Sequence, residues 1–422
     1  MKTKHVFLVV VLIAMHVRLF AGSATDPGLI AHEWGTFTSV QGADGVQLQW
    51  NPLVTSELPK FVYDRGRPTG NPALARYSAY AGKGALVALQ RMETPVIYFY
   101  SAKEQKVDVS VQFPQGVVTE WFPQVAKYDP RLMRWDGITV LPNEANPGLA
   151  NLLPMDTSAS HYFAARETDA DFLRSGSNTV RKGAKTEHEK FLFYRGVGHF
   201  KAPLQATLGP TDDIVILKNA GLETLSDLYV LYVHHGQSKF LYVDKLAAGA
   251  ERTVNLLLQN GQRDLSTVRT GLAKQMASSL ARHGLFAREA SAMVKTWDDS
   301  WFGEEGLRVL YTLPRQWTDR TLPLQISPAP SQIVRVMVGR AEMITPSMEW
   351  DLMKQITRYG DQDSQAKEQA VANARAVGLG RFTEAAVRRL VNRVPNREFS
   401  QAAWNLLNEL GKPAGNKLAL AK

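Results

Sequence analysis

The chain has 422 residues, 45% of them apolar and 21% charged, enough for two or three packed domains and too apolar for extensive disorder. It contains no cysteine, which excludes disulfides, thiolate metal sites and a cysteine nucleophile. The formal charge is +9, but residues 1–24 carry Lys2, Lys4 and Arg18 and no acid, leaving a mildly basic +6 without a nucleic-acid-binding block.

The first 24 residues have the layout of an export leader. Lys2 and Lys4 form a positive start, Val6 to Met15 is an unbroken apolar run, and Gly22 and Ala24 supply small residues before a cleavage point. The run is well short of the ~20 residues that cross a bilayer. A periplasmic or secreted bacterial protein is therefore expected, with residues 1–24 as signal peptide. Three further parts follow: a β-rich domain over 25–185, a β-sandwich over 186–260, and a mainly helical region over 261–422.

In chain order, Gly35 to Val40 reads as a strand that turns through Gly42-Ala43-Asp44-Gly45 into Val46–Trp50. Residues 51–82, rich in Gly, Pro and Tyr, read as a surface excursion. Val96 to Tyr100 is β-branched and aromatic. Val107, Val109, Val111 and Phe113 then alternate with polar residues, and Val117–Phe122 follows a Pro-Gln-Gly turn. Three consecutive strands on short turns predict an antiparallel meander. Residues 141–190 look like a long loop.

From Phe191 a second β pattern runs through Leu204–Leu208, Ile214–Lys218, Leu228–Val233, Phe240–Val243 and Thr253–Leu258. With Asn219-Ala220-Gly221 closing one strand and Leu246 to Gly249 leading into the last, residues 190–258 resemble immunoglobulin-like or fibronectin-type sandwiches. That resemblance implies a fold and no activity. Beyond it, Val268, Leu272, Met276 and Leu280 share one helix face, capped by Ser266 and ended by Gly284. A short β insertion is expected over Ile333–Val338, and Pro346 suits the start of the next helix. Helices over 382–394 and from Ser400 to Gly411 complete the chain, the former with Arg388, Arg389 and Arg393 facing solvent. The fold class expected is a multidomain α+β protein: an antiparallel β-rich body including the sandwich, then helices.

No spacing in the chain forces a particular chemistry. The phrase His32-Glu33-Trp34-Gly35-Thr36-Phe37, with Glu189 to Gly196, resembles a group of exported bacterial proteins of no established function, and implies no activity. His32, His188, Glu189 and His199 are the candidate ligands for a divalent metal, with Glu33 as a candidate catalytic acid or base, although adjacent strand residues point to opposite faces. His234 and His235 diverge unless a turn begins there, and His283 suits a helix C-terminus. Carboxylates beside tryptophans (Glu33-Trp34, Glu120-Trp121, Trp135-Asp136, Trp297-Asp298, Glu349-Trp350) supply the residue types of a sugar site. Two readings follow: a non-catalytic envelope module binding a protein or polysaccharide partner, or a metal-dependent or glycan-directed hydrolase.

Overall fold

The computed structural model describes residues 25–52, 58–64, 87–157, 160–175, 186–259, 262–361 and 363–411. The expected leader, most of the excursion after residue 51 and residues 176–185 lie outside them. The principal strands are β1 (Thr25–Gly42), β2 (Gln90–Ser101), β3 (Gln105–Gln112), β4 (Gly116–Phe122), β5 (Leu132–Leu141), β6 (Leu192–Gly198) and β7 (Leu204–Leu208). They continue with β8 (Ile214–Asn219), β9 (Leu225–His234), β10 (Gln237–Leu246), β11 (Glu251–Asn255), β12 (Gly306–Leu313), β13 (Leu324–Ser327) and β14 (Ala329–Ile344).

One large sheet organises the molecule, in the order β10-β9-β12-β14-β1-β2-β6-β4. Its centre joins the first strand to the last, because β1 runs parallel to β14 with Glu33 opposite Arg335. Its other pairings are antiparallel. A second sheet contains β5, β3 and β13, and a third is β7-β8-β11. Both pack on one face of the large sheet around a shared core that includes Leu29, Phe37, Ile97, Tyr311, Val109, Trp135, Ala206 and Val215.

The opposite face carries Trp34, Val96, Tyr98, Phe193, Leu310 and Val336, covered by α1 (Leu265–Arg282) and α2 (Ala287–Asp298). After the short α3 (Arg315–Thr321), a bundle of α4 (Pro346–Tyr359), α5 (Ser364–Ala376), α6 (Thr383–Arg393) and α7 (Arg397–Leu410) closes on Val40, Trp50 and Ile344. The start of α4 follows from its sequence: Thr345 accepts from the Met348 N–H, and Pro346 occupies the first turn, where no donor is needed. The last helix starts earlier than expected, with Asn396 as the capping side chain instead of Ser400.

Alternating burial along β3 confirms the period-two reading of that strand, and the α+β class with a helical C-terminal region holds. Three finer expectations are corrected. The meander does not form: β2 and β4 both pair with β6, whereas β3 leaves for the second sheet and pairs with β5 and β13. Alternation identifies a half-buried strand but not its neighbour.

Residues 186–260 are not a self-contained sandwich. β6, β9 and β10 belong to the large sheet, while β7, β8 and β11 form the small one facing it. The layering is sandwich-like, with one layer shared by the whole chain. Finally, the expected insertion at 333–338 is the 16-residue strand β14, at the centre of the large sheet, and β12 beside it lies in the supposedly helical part. Gly339 permits the packing there, since a Cβ would fall 2.2 Å from Cζ of Tyr311 on the neighbouring strand.

Candidate functional site

The residues expected to form a metal or catalytic site are separated by the fold. His32 and Glu33 point to opposite faces of the large sheet, as the strand period requires. His32 is buried between Tyr100 and Phe286, with Nδ1 2.7 Å from Oε2 of Glu289. The same carboxylate accepts from the Tyr100 hydroxyl and the Phe286 N–H, so Glu289 ties α2 to the sheet.

Glu33, wholly buried on the other face, pairs with Nε of Arg335 at 2.5 Å and accepts from the Tyr194 hydroxyl. Glu189 is buried and held by Arg166 and the Tyr162 hydroxyl. His188 is half-buried, and burial followed by the nearby Arg174 holds its pKa below the ordinary value. His199 is exposed and uses its backbone N–H on Gln115. These residues do not group as metal ligands: among the described residues, the one cluster of three such side chains is His234, His235 and Glu305.

The charged residues that do converge were not singled out in the sequence. They form a band across the helix-covered face of the large sheet, between the α1/α2 core and the C-terminal bundle. Arg308 on β12 pairs with Glu342 on β14. Arg340 on β14 binds Glu342 and reaches Glu304, and Thr38 on β1 donates to Glu93 on β2 at 2.6 Å.

A bulge in β2 is what aims Arg91 and Glu93 at this face. The register between β1 and β2 shifts between Trp34 and Thr36, and Thr94 takes a φ of 48°, rare for a β-branched residue. Without the extra residue, the alternation set by Val96 and Tyr98 would turn Arg91 and Glu93 into the apolar sandwich core. Gly35 makes room for the bulge, since a Cβ there would fall 2.9 Å from the Pro95 Cα.

This band floors a cleft of about 510 Å³ between the sheet and the C-terminal bundle, a position and size typical of ligand sites. Arg91, Glu93 and Arg195 come from the sheet, Trp297, Ser300, Glu304 and Glu305 from the segment around the end of α2, and Gly378–Phe382 from the α5–α6 connection. Arg381 Nη1 bonds Glu93 at 2.9 Å, and the guanidiniums of Arg381 and Arg340 both lie over the Phe382 ring, 4.9 and 5.2 Å from its centroid. Nε of Arg91, together with Nε and Nη2 of Arg381, is buried without a hydrogen-bond partner among the described residues. Burial lowers the Arg91 pKa to about 10; Glu93 raises it, and the like charges of Arg195 and Arg381 push it down.

Two acids of the band, Glu93 and Glu304, are held ionised. Burial opposes it, yet Arg381, Arg91 and the Thr38 hydroxyl keep Glu93 well below the usual carboxylate range, and Arg340, Arg381 and Arg308 lower Glu304. A carboxylate with a depressed pKa stabilises the fold above its ordinary value, near 4.5, and loses that contribution as pH falls toward the folded-state value. Urea midpoints are expected to hold between about pH 7 and 5 and to fall progressively as the pH drops below about 4.5 toward the depressed folded-state values. A midpoint unchanged at the acid end would show that these pairs contribute nothing to stability.

Elsewhere, Arg389 is buried against Glu349 instead of facing solvent, because α6 turns that residue toward α4. Of the tryptophan–carboxylate pairs, Trp297 lines the cleft, and Glu349 is engaged by Arg389 and Arg393. No described helix is long and apolar enough to cross a membrane.

No protein-family model matches the chain, and no curated protein matches it. Among solved structures, the Fcho1 Mu homology domain of Danio rerio with bound Eps15 peptide aligns at 8% identity over 76% of this chain and 99% of that chain, with a TM-score of 0.30. The yeast delta-COP-I mu-homology domain complexed with a Dsl1 WxWxV peptide aligns at 8% identity over 75% of this chain and 96% of that one, with a TM-score of 0.26. The same yeast domain without peptide gives 0.25. Likeness of that degree assigns neither fold nor function.

Proposed function

We propose that this protein is a non-catalytic binding module that takes a carboxylate or phosphate group of its ligand in the arginine-lined cleft. The carrying observation is the set of buried guanidinium donors, Nε of Arg91 and Nε and Nη2 of Arg381, that face one another's charge and make no hydrogen bond among the described residues. Each buried donor left unsatisfied costs about 1–3 kcal/mol, and an anion relieves both the missing acceptors and the repulsion between like charges. Glu93 and Glu304 stand 3.8 and 3.7 Å from the Arg91 and Arg381 Nε atoms, within ion-pair reach but beyond a hydrogen bond, and spend their own hydrogen bonds on Arg381 Nη1 and Arg340. Held ionised, they are also poor proton donors, which favours binding over glycosidase-type acid catalysis.

The reading of residues 1–24 as an export leader belongs with this proposal. A protein beyond the inner membrane meets envelope proteins and polysaccharides that carry such anionic groups, and a net charge of +6 outside the leader favours them. The test is titration of the purified protein with inorganic phosphate and with citrate, followed by calorimetry and thermal melting. Saturable binding is expected at low salt, with a dissociation constant below about 1 mM, weakening in about 0.5 M NaCl. No heat and no stabilisation from either anion would overturn the reading.

A further inference from the structure

We propose that His234, His235 and Glu305 bind one divalent transition-metal ion at the rim of the cleft. β9 ends at His234 and β10 begins at Gln237, leaving His235 and Gly236 as a two-residue turn. Both are in the left-handed region, with φ of 49° and 73°, the backbone of a tight hairpin turn. In a continuing strand the two imidazoles would project to opposite faces. The turn instead brings their ring centroids to 4.0 Å.

Glu305 arrives from the segment leading into β12, and both its carboxylate oxygens accept from the His235 N–H at 3.0 Å. Its Oε2 lies 3.5 Å from Nδ1 of His234, and one donor atom from each of the three side chains lies within 4.8 Å of the others. Ligands about 2.0–2.1 Å from a tetrahedral ion stand roughly 3.3 Å apart, so small side-chain movements complete the set.

A plain His–Glu ion pair explains the cluster less well. At 3.5 Å the contact exceeds the ~2.7–2.9 Å of a charge-assisted hydrogen bond, and a second imidazole tilted against the first at 4.0 Å would repel it were both protonated. A metal ion engages both rings as neutral ligands. Two imidazoles and one carboxylate are the donors of zinc, nickel and copper sites, unlike the all-oxygen sets of calcium or magnesium. Both histidines are exposed and Glu305 is half-buried, so the ion has an open route in. Three protein ligands also leave a coordination position free. Because Glu305 lines the cleft, that position gives a bound anion a further positive partner. The metal site stands whether or not the arginines bind an anion, and the two are measured separately.

The test is calorimetry of the chelator-treated full chain with zinc chloride in phosphate-free buffer. One ion per chain is expected, with a dissociation constant in the micromolar range or tighter. His235→Asn, whose new side chain tolerates the left-handed turn, and His234→Gln are each expected to weaken binding at least about tenfold with an unchanged circular dichroism spectrum. Absence of saturable binding, or variants that bind zinc as the parent does, would overturn the assignment.

Discussion

Replacing Arg335 with Met is expected to destabilise the protein by about 3–5 kcal/mol, the largest single-residue effect expected on the sandwich side of the large sheet. Glu33 and Arg335 stand directly opposite each other in the parallel pair of β1 and β14, both almost completely buried. The substitution keeps much of the apolar stem but strands the Glu33 carboxylate among Ile97, Leu192 and Met337, neighbours in the same core, with the Tyr194 hydroxyl as its remaining donor. The cost is that of an uncompensated buried charge, not the net worth of the pair. The double variant Glu33→Gln/Arg335→Met removes both charges and leaves an oxygen for Tyr194, so it is expected to recover most of the loss. Urea unfolding followed by tryptophan fluorescence measures both. A single variant losing under about 1 kcal/mol, or a double variant no better than the single, would refute this account. The pair also holds register: a one-residue slip of β1 would turn Glu33 to the helix-covered face and away from Arg335.

Strand and helix existence was legible wherever one face meets a core, because the pattern of burial is written in the spacing of apolar residues. The alternation of Val107, Val109 and Val111 and the helical spacing of Val268, Leu272 and Met276 both match buried positions. Pairing was not legible. β1 meets β14 across some 300 residues, and nothing in either segment names the other.

The site was hidden for a related reason. Arg91 and Glu93 lie ahead of the strand expected at Val96–Tyr100, and only the bulge at Thr94 turns them under the C-terminal helices. Arg340 and Arg308 sit in strands whose length was underestimated or missed. Charged residues inside strands of otherwise buried character were the available signal, since such side chains are seldom buried without partners. The two adjacent histidines were noticed, and their convergence turned on a φ sign at His235 that the Gly after it foreshadowed.

Arg381→Met is expected to weaken phosphate or citrate binding by about 10–100-fold while the protein still folds, which separates recognition from stability. Arg381 sits in the short turn Gly380–Phe382 that the C-terminal bundle presents to the sheet. Its Nη1 is spent on Glu93, and its Nε stands 3.7 Å from Glu304, beyond a hydrogen bond. The two donors left over are the ones an anion would take. Loss of one charge-assisted hydrogen bond, at about 1.5–3 kcal/mol, gives the stated factor. Methionine preserves the apolar stem, and Glu93 keeps Thr38 and Arg91 as partners, so the melting temperature should fall only modestly. Arg381→Lys divides the effect further. An ammonium restores the charge but not the planar fork, so affinity should lie between parent and methionine variant if directed bonds matter. If lysine binds as tightly as arginine, the cleft recognises charge alone. If methionine does too, Arg381 has no part in anion binding, and the unsatisfied donors of the cleft need another explanation.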